Sequence, residues 1–123
     1  MMKSKIETMN RYFDAQIAAC GSRAQALLAD ERTDESNFEK IRANVYDIFR
    51  TMLSVAAATG KGDASAVRRF FLQKAEQLPA AWRASLEKAN EHGDAVKAQI
   101  ETVKLETLEE IKKTFSSVWG DEA

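Results

Sequence analysis

The chain has 123 residues, 45% apolar and 30% charged, with 18 basic residues against 19 acidic ones and a net charge of −1. That is the composition of one globular domain spanning residues 1–123, able to bury roughly two-thirds of its unfolded surface. The even charge balance excludes the electrostatic footprint that nucleic acid requires, and the lone Cys20 excludes an intrachain disulfide.

One proline and five glycines leave little for loops, so most of the chain is expected in helix. The first element covers about residues 3–30. Ile6, Met9, Phe13, Ile17, Cys20, Ala24, Leu27 and Leu28 recur at spacings of three and four, one stripe on a helix. Gly21 interrupts it at up to about 1 kcal/mol relative to alanine, a residue that close helix packing or chance accounts for. The polar break from Glu31 to Asn37 offers Thr33, Asp34 and Ser36 as N-caps.

The second element, about 36–59, carries Phe38, Ile41, Val45, Ile48, Met52 and Val55 in nearly perfect three-four alternation, widened by Phe49, Leu53 and Ala56. It is predicted to be the most buried helix. Gly60-Lys61-Gly62 ends it and Asp63 caps the third, about 64–92. There Val67, Phe71, Ala75, Leu78, Trp82, Leu86 and Ala89 share a face across Pro79. A mid-helix proline loses one hydrogen bond and clashes with the carbonyl four residues back. Because the apolar register continues through it, a kink is predicted, with a split into two helices as the alternative.

His92-Gly93-Asp94 is the tightest break. The fourth element, about 95–119, bears Val96, Ile100, Val103, Leu108, Ile111, Phe115 and Val118, with Lys97–Glu101 and Glu109–Lys113 as outer-face ion pairs, and stops at Gly120-Asp121. Short connections make sequential helices neighbours, so the expected fold class is all-α, an up-down-up-down four-helix bundle. Were Gly93 only a bend, the last two helices would form one rod and a second chain would have to complete the bundle.

Catalytic constellations are hard to find. A di-iron bundle needs Glu-x-x-His on two helices, and the residue three before the single histidine, His92, is Ala89. One Cys and one His cannot close a tetrahedral zinc site. Cys20 lies on an apolar stripe, where a thiol behaves as a small hydrophobe. Gly60-Lys61-Gly62-Asp63-Ala64-Ser65 lacks phosphate-loop spacing and a preceding strand. Arg68-Arg69-Phe70-Phe71 reads as core and flank with arginines outward rather than as a DNA-reading helix. No catalytic residue, cofactor or metal is therefore expected.

Seven large residues lie about a quarter turn or more from their helix's main stripe: Tyr12, Tyr46, Leu53, Phe70, Leu72, Leu105 and Trp119. A bundle that buries one stripe per helix leaves several of these wet, and tyrosine and tryptophan favour interfaces. A small-residue strip on the first helix, Ala15, Ala19, Ser22 and Ala26, adds room for close approach. The expected function is a non-catalytic interaction module that forms a homodimer or docks a partner helix, with Tyr12, Tyr46, Phe70, Leu105 and Trp119 as interface residues. The alternative is a small-molecule-binding bundle, a sensor or carrier, with an apolar pocket of Phe71, Leu78 and Trp82 beside Pro79. No segment has the length or apolarity for a membrane span, no polybasic cluster holds the chain on anionic lipid, and no apolar leader opens it. The expected location is cytoplasmic.

Overall fold

The computed structural model describes residues 2–120, and every regular element among them is a helix. There are five: α1 (Met2–Ala29), α2 (Thr33–Gly60), α3 (Ala64–Gln77), α4 (Pro79–Glu91) and α5 (Ala95–Trp119). The helix breaks follow local chemistry. Asp63 accepts the Ser65 amide at 3.0 Å and Asp94 accepts the Lys97 amide at 3.1 Å, so both aspartates cap as expected. Gly93 takes φ +68 and the Asp94 amide reaches back to the Ala89 carbonyl at 2.8 Å. That closes α4 with a left-handed residue, which favours glycine, and makes α4 and α5 two packed helices rather than one bent rod. Asp121, expected just past the α5 stop, lies outside the described residues.

Two expectations change at the other junctions. The cap position of α2 is Arg32, whose side chain makes no capping bond. Thr33 starts the helix instead, and Ser36 donates its hydroxyl to the Ala24 carbonyl at 2.7 Å, tying α2 to α1 in the interior. At Pro79, Leu78 keeps right-handed helical angles and its amide still bonds the Lys74 carbonyl at 2.9 Å. Proline then stands in the first turn of α4, where a missing N–H costs nothing. The third predicted helix is thus two segments joined almost without interruption.

The helices do not share burial evenly. α1 lies along α2, α2 also packs on α3 and α5, and α5 touches all four others. α4 rests mainly on α5 and buries only Pro79 and Ala89. The core holds Phe13, Phe49, Phe71, Phe115 and Trp119. Phe115 stacks on Phe71 at 4.2 Å and on Trp119 at 5.0 Å between ring centroids, and Phe49 meets Phe71 edge-on at 5.9 Å. Offset and edge contacts of this kind contribute about 0.5–1.5 kcal/mol each beyond area burial.

One end of the molecule is sealed around those rings. The Trp119 indole donates to the Ala64 carbonyl at 3.1 Å and Lys5 donates to the Trp119 carbonyl at 3.1 Å. A methyl on Gly60 would lie 2.6 Å from Cγ2 of buried Val67, so the end of α2 sits against the start of α3 at a distance only glycine allows. At Gly21, by contrast, a methyl would touch nothing. Close packing does not account for that glycine.

Candidate functional site

The opposite end, where α2 and α5 begin, is looser. Phe38 and Ile41 of α2 face Val96 and Ile100 of α5 across an apolar groove of about 260 Å³, rimmed by Asp34 and Gln99. Val96 is 66% exposed there. From the groove an apolar band runs down α2, with Ile48 37% and Val55 40% exposed and Met52 half-buried. Ile41, Ile48 and Val55 are seven residues apart, the spacing of one position of a helix-pairing seam, with half-buried Phe38 and Met52 beside them.

The band exists because α2 turns a neighbouring strip inward. Val45, Tyr46, Phe49, Leu53 and Ala56 are buried, while Ile48 and Val55, expected at the centre of the core stripe, face outward. That is a correction of about a quarter turn in the orientation of α2. Asn37, Asn44 and Thr51, all exposed, border the band. Glu39, Arg42, Asp47 and Arg50 of α2 are already engaged in ion pairs: Glu39 with Arg23 and Arg42 at 2.9 and 2.7 Å, Arg50 with Asp14 and Asp47 at 2.6 Å each. Lys40, exposed, lies beside Thr51 on the border, and the strip between is uncharged along much of a helix about 42 Å long.

The residues predicted from sequence are scattered by the fold. Tyr46 and Trp119, expected at an interface, are instead buried at 2% and 5% exposure, because α2 and α5 each pack on several helices and bury more than one stripe. Tyr12, Phe70 and Leu105 are half-buried on three different helices, and Tyr12 and Phe70 pack against the core. Leu53 belongs to the core and Leu72 packs against it. Phe71, expected to wall a pocket, is a fully buried ring enclosed by Phe49 and Phe115. Leu78 packs against the core, and Trp82 lies under Lys104, whose Nζ stands 5.8 Å from its ring centroid. The small-residue strip of α1 stays largely exposed. On α5, Glu101 is buried and pairs with Lys104 at 3.2 Å, while Glu109 pairs with Lys112 at 3.7 Å, rather than with Lys97 and Lys113.

Several polar side chains between the helices are held by hydrogen bonds, whereas Asn10 Oδ1 and Glu101 Oε2 are buried without a partner. Between α1, α2 and α5, the Tyr12 hydroxyl donates to Glu110 at 3.2 Å and its ring meets Tyr46 edge-on at 6.0 Å. Burial, then the neighbouring Tyr12 and Glu110, push the Tyr46 phenol well above its ordinary range. Burial likewise raises Tyr12 and the Cys20 thiol, so Cys20 keeps its proton and is a poor nucleophile. Arg23 is held charged by its hydrogen bond to Glu39. Among the described residues no group of three His, Cys, Asp or Glu side chains is placed to hold a metal, and no helix is long and apolar enough to cross a membrane.

Sequence reasoning missed Ile48, Val55 and Val96 as surface residues because it assigned them to the core. The available signal was a surplus: α2 carries two adjacent apolar bands, and one side of a helix has room for little more than one. Compared with family models, curated proteins and solved structures, the chain matches none, so the argument for its function rests on this surface.

Proposed function

We propose that this protein is a non-catalytic interaction module, an up-down-up-down four-helix bundle whose third member is the α3–α4 pair, working by docking a helix along the outer band of α2. The observation that carries this reading is the line of Ile41, Ile48 and Val55, apolar and uncharged, with Ile48 and Val55 exposed and Phe38 and Met52 half-buried beside it. Exposed apolar surface in continuous form marks a contact site, whereas scattered exposed apolars do not. The groove at the upper end of the strip gives a docked helix a place to seat a side chain. The cytoplasm is the proposed setting.

The test is Ile48→Glu. A surface role predicts an unchanged circular dichroism spectrum and a melting temperature within a few degrees of wild type, since substitutions away from packed features stay within about 0.5 kcal/mol. Sedimentation velocity up to 500 μM then shows whether the wild-type chain associates and the variant does not. An Ile48→Glu chain that unfolds returns Ile48 to the core and overturns the reading.

A further inference from the structure

The occupant of the α2 band can be specified further, on the reading that the band docks a helix: we propose that it is α2 of a second copy of this chain, lying antiparallel with Ile48 on the twofold axis. Three observations carry the arrangement. The band itself is uncharged and bordered by Asn37, Asn44 and Thr51, and the exposed Lys40 on that border would stand about 24 Å along the axis from its counterpart in an antiparallel pair, so two copies meet without close like-charge contact. At the ends of α2 the charges near the band are opposite in sign, Asp34 in the first turn and Lys61 at the C-cap, while Glu35 is taken up by its ion pair with Arg32.

A parallel pair would set the two Asp34 carboxylates from two helix starts side by side, and the two Lys40 ammonium groups likewise. An antiparallel pair sets each Asp34 against the other copy's Lys61 and opposes the helix dipoles. The third observation is the groove. It lies at the Ile41 end of the band, and Val55, 40% exposed, lies at the other end. With Ile48 facing its own copy, the seven-residue spacing brings Val55 of each chain to Ile41 of the other. The protruding valine enters the groove walled by Phe38, Val96 and Ile100. Each half of the interface then fills the other, as an isologous contact requires.

Disulfide trapping tests the register. Cys20 is fully buried, so single cysteines are introduced into the wild-type chain and oxidised with copper phenanthroline at a concentration where sedimentation shows dimer. Ile48→Cys is expected to cross-link to itself. Ile41→Cys alone should stay monomeric on a non-reducing gel, whereas a mixture of Ile41→Cys and Val55→Cys should give a cross-linked dimer. Ile48→Glu should weaken the dimer by at least about tenfold, the effect of removing one buried aliphatic side chain from each contact.

Self-cross-linking of Ile41→Cys, or none at Ile48→Cys, overturns the antiparallel pair while leaving the band as a docking surface. A wild-type chain that remains monomeric at 500 μM overturns the second copy as occupant. The docking role itself is judged separately, by whether Ile48→Glu stays folded.

Discussion

The two ends of this molecule are built from similar material and reach different results. At the sealed end, α1, α2, α3 and α5 converge on Phe71, Phe115 and Trp119, and the Trp119 and Lys5 hydrogen bonds to main-chain carbonyls fix the ends of helices against one another. At the groove end the apolar side chains are as plentiful, with Leu28 at 51% and Val96 at 66% exposure, but no other element of the fold closes over them. The difference lies in the number of helices available. α4 leans on α5, so the upper part of α2 has α1 on one side and only the start of α5 on the other, across an open groove. Sealing a core takes a helix on every side of the apolar band, and an apolar sequence does not provide that by itself.

Substitutions at matched positions put that contrast to the test. Phe71→Ala at the sealed end should cost about 3–5 kcal/mol, a large share of the 5–15 kcal/mol typical of a domain. Val96→Ala at the groove end should cost less than about 0.5 kcal/mol. Urea unfolding of the two variants gives both numbers, and a Val96→Ala effect near that of Phe71→Ala would mean the groove end is packed after all. The glycines form a second matched pair. Gly60→Ala drives a methyl into Val67 and should destabilise by about 1–3 kcal/mol. Gly21→Ala, with open space around it in an exposed helix, should stabilise by up to about 1 kcal/mol. Opposite signs in thermal melts are the expected result.

The smallest effect is on pH. Tyr12 and Tyr46 have phenols raised in the folded state. Above the ordinary phenol value of about 10 the unfolded chain loses protons that the folded chain keeps. Their contribution is therefore full below pH 10 and declines above it. Melting temperature should fall more steeply between pH 10 and 11 for wild type than for Tyr46→Phe; equal slopes would place the Tyr46 phenol in solvent.

Much of the helix layout could be read in the sequence. The aspartates after Gly62 and Gly93 cap the helices they precede, and the apolar register across Pro79 carries through a junction that keeps a helical Leu78. Those features depend on neighbours in the chain. Rotation about a helix axis does not. The spacing of Phe38, Ile41, Val45, Ile48, Met52 and Val55 marks an apolar band on α2, but Tyr46, Phe49, Leu53 and Ala56 mark another beside it. Which one turns inward is decided by where α1, α3 and α5 lie. Trp119 was misplaced for a related reason. The one-stripe rule suits a helix on a surface, and α5 packs on all four other helices.

The near-continuous junction at Leu78 has a consequence for how the molecule opens. α3 is anchored through Val67, Phe71 and Ala75, whereas α4 contributes only Pro79 and Ala89 to the interior. Proline supplies no amide to the hydrogen-bond ladder there, so the ladder is already one rung short where the anchored half meets the loose one. Local unfolding starts where buried apolar contacts are fewest. α4 can fray back to Pro79 and stop, leaving α3 in place, so partial opening of this fold uncovers the inner face of α5 while the aromatic cluster stays shut.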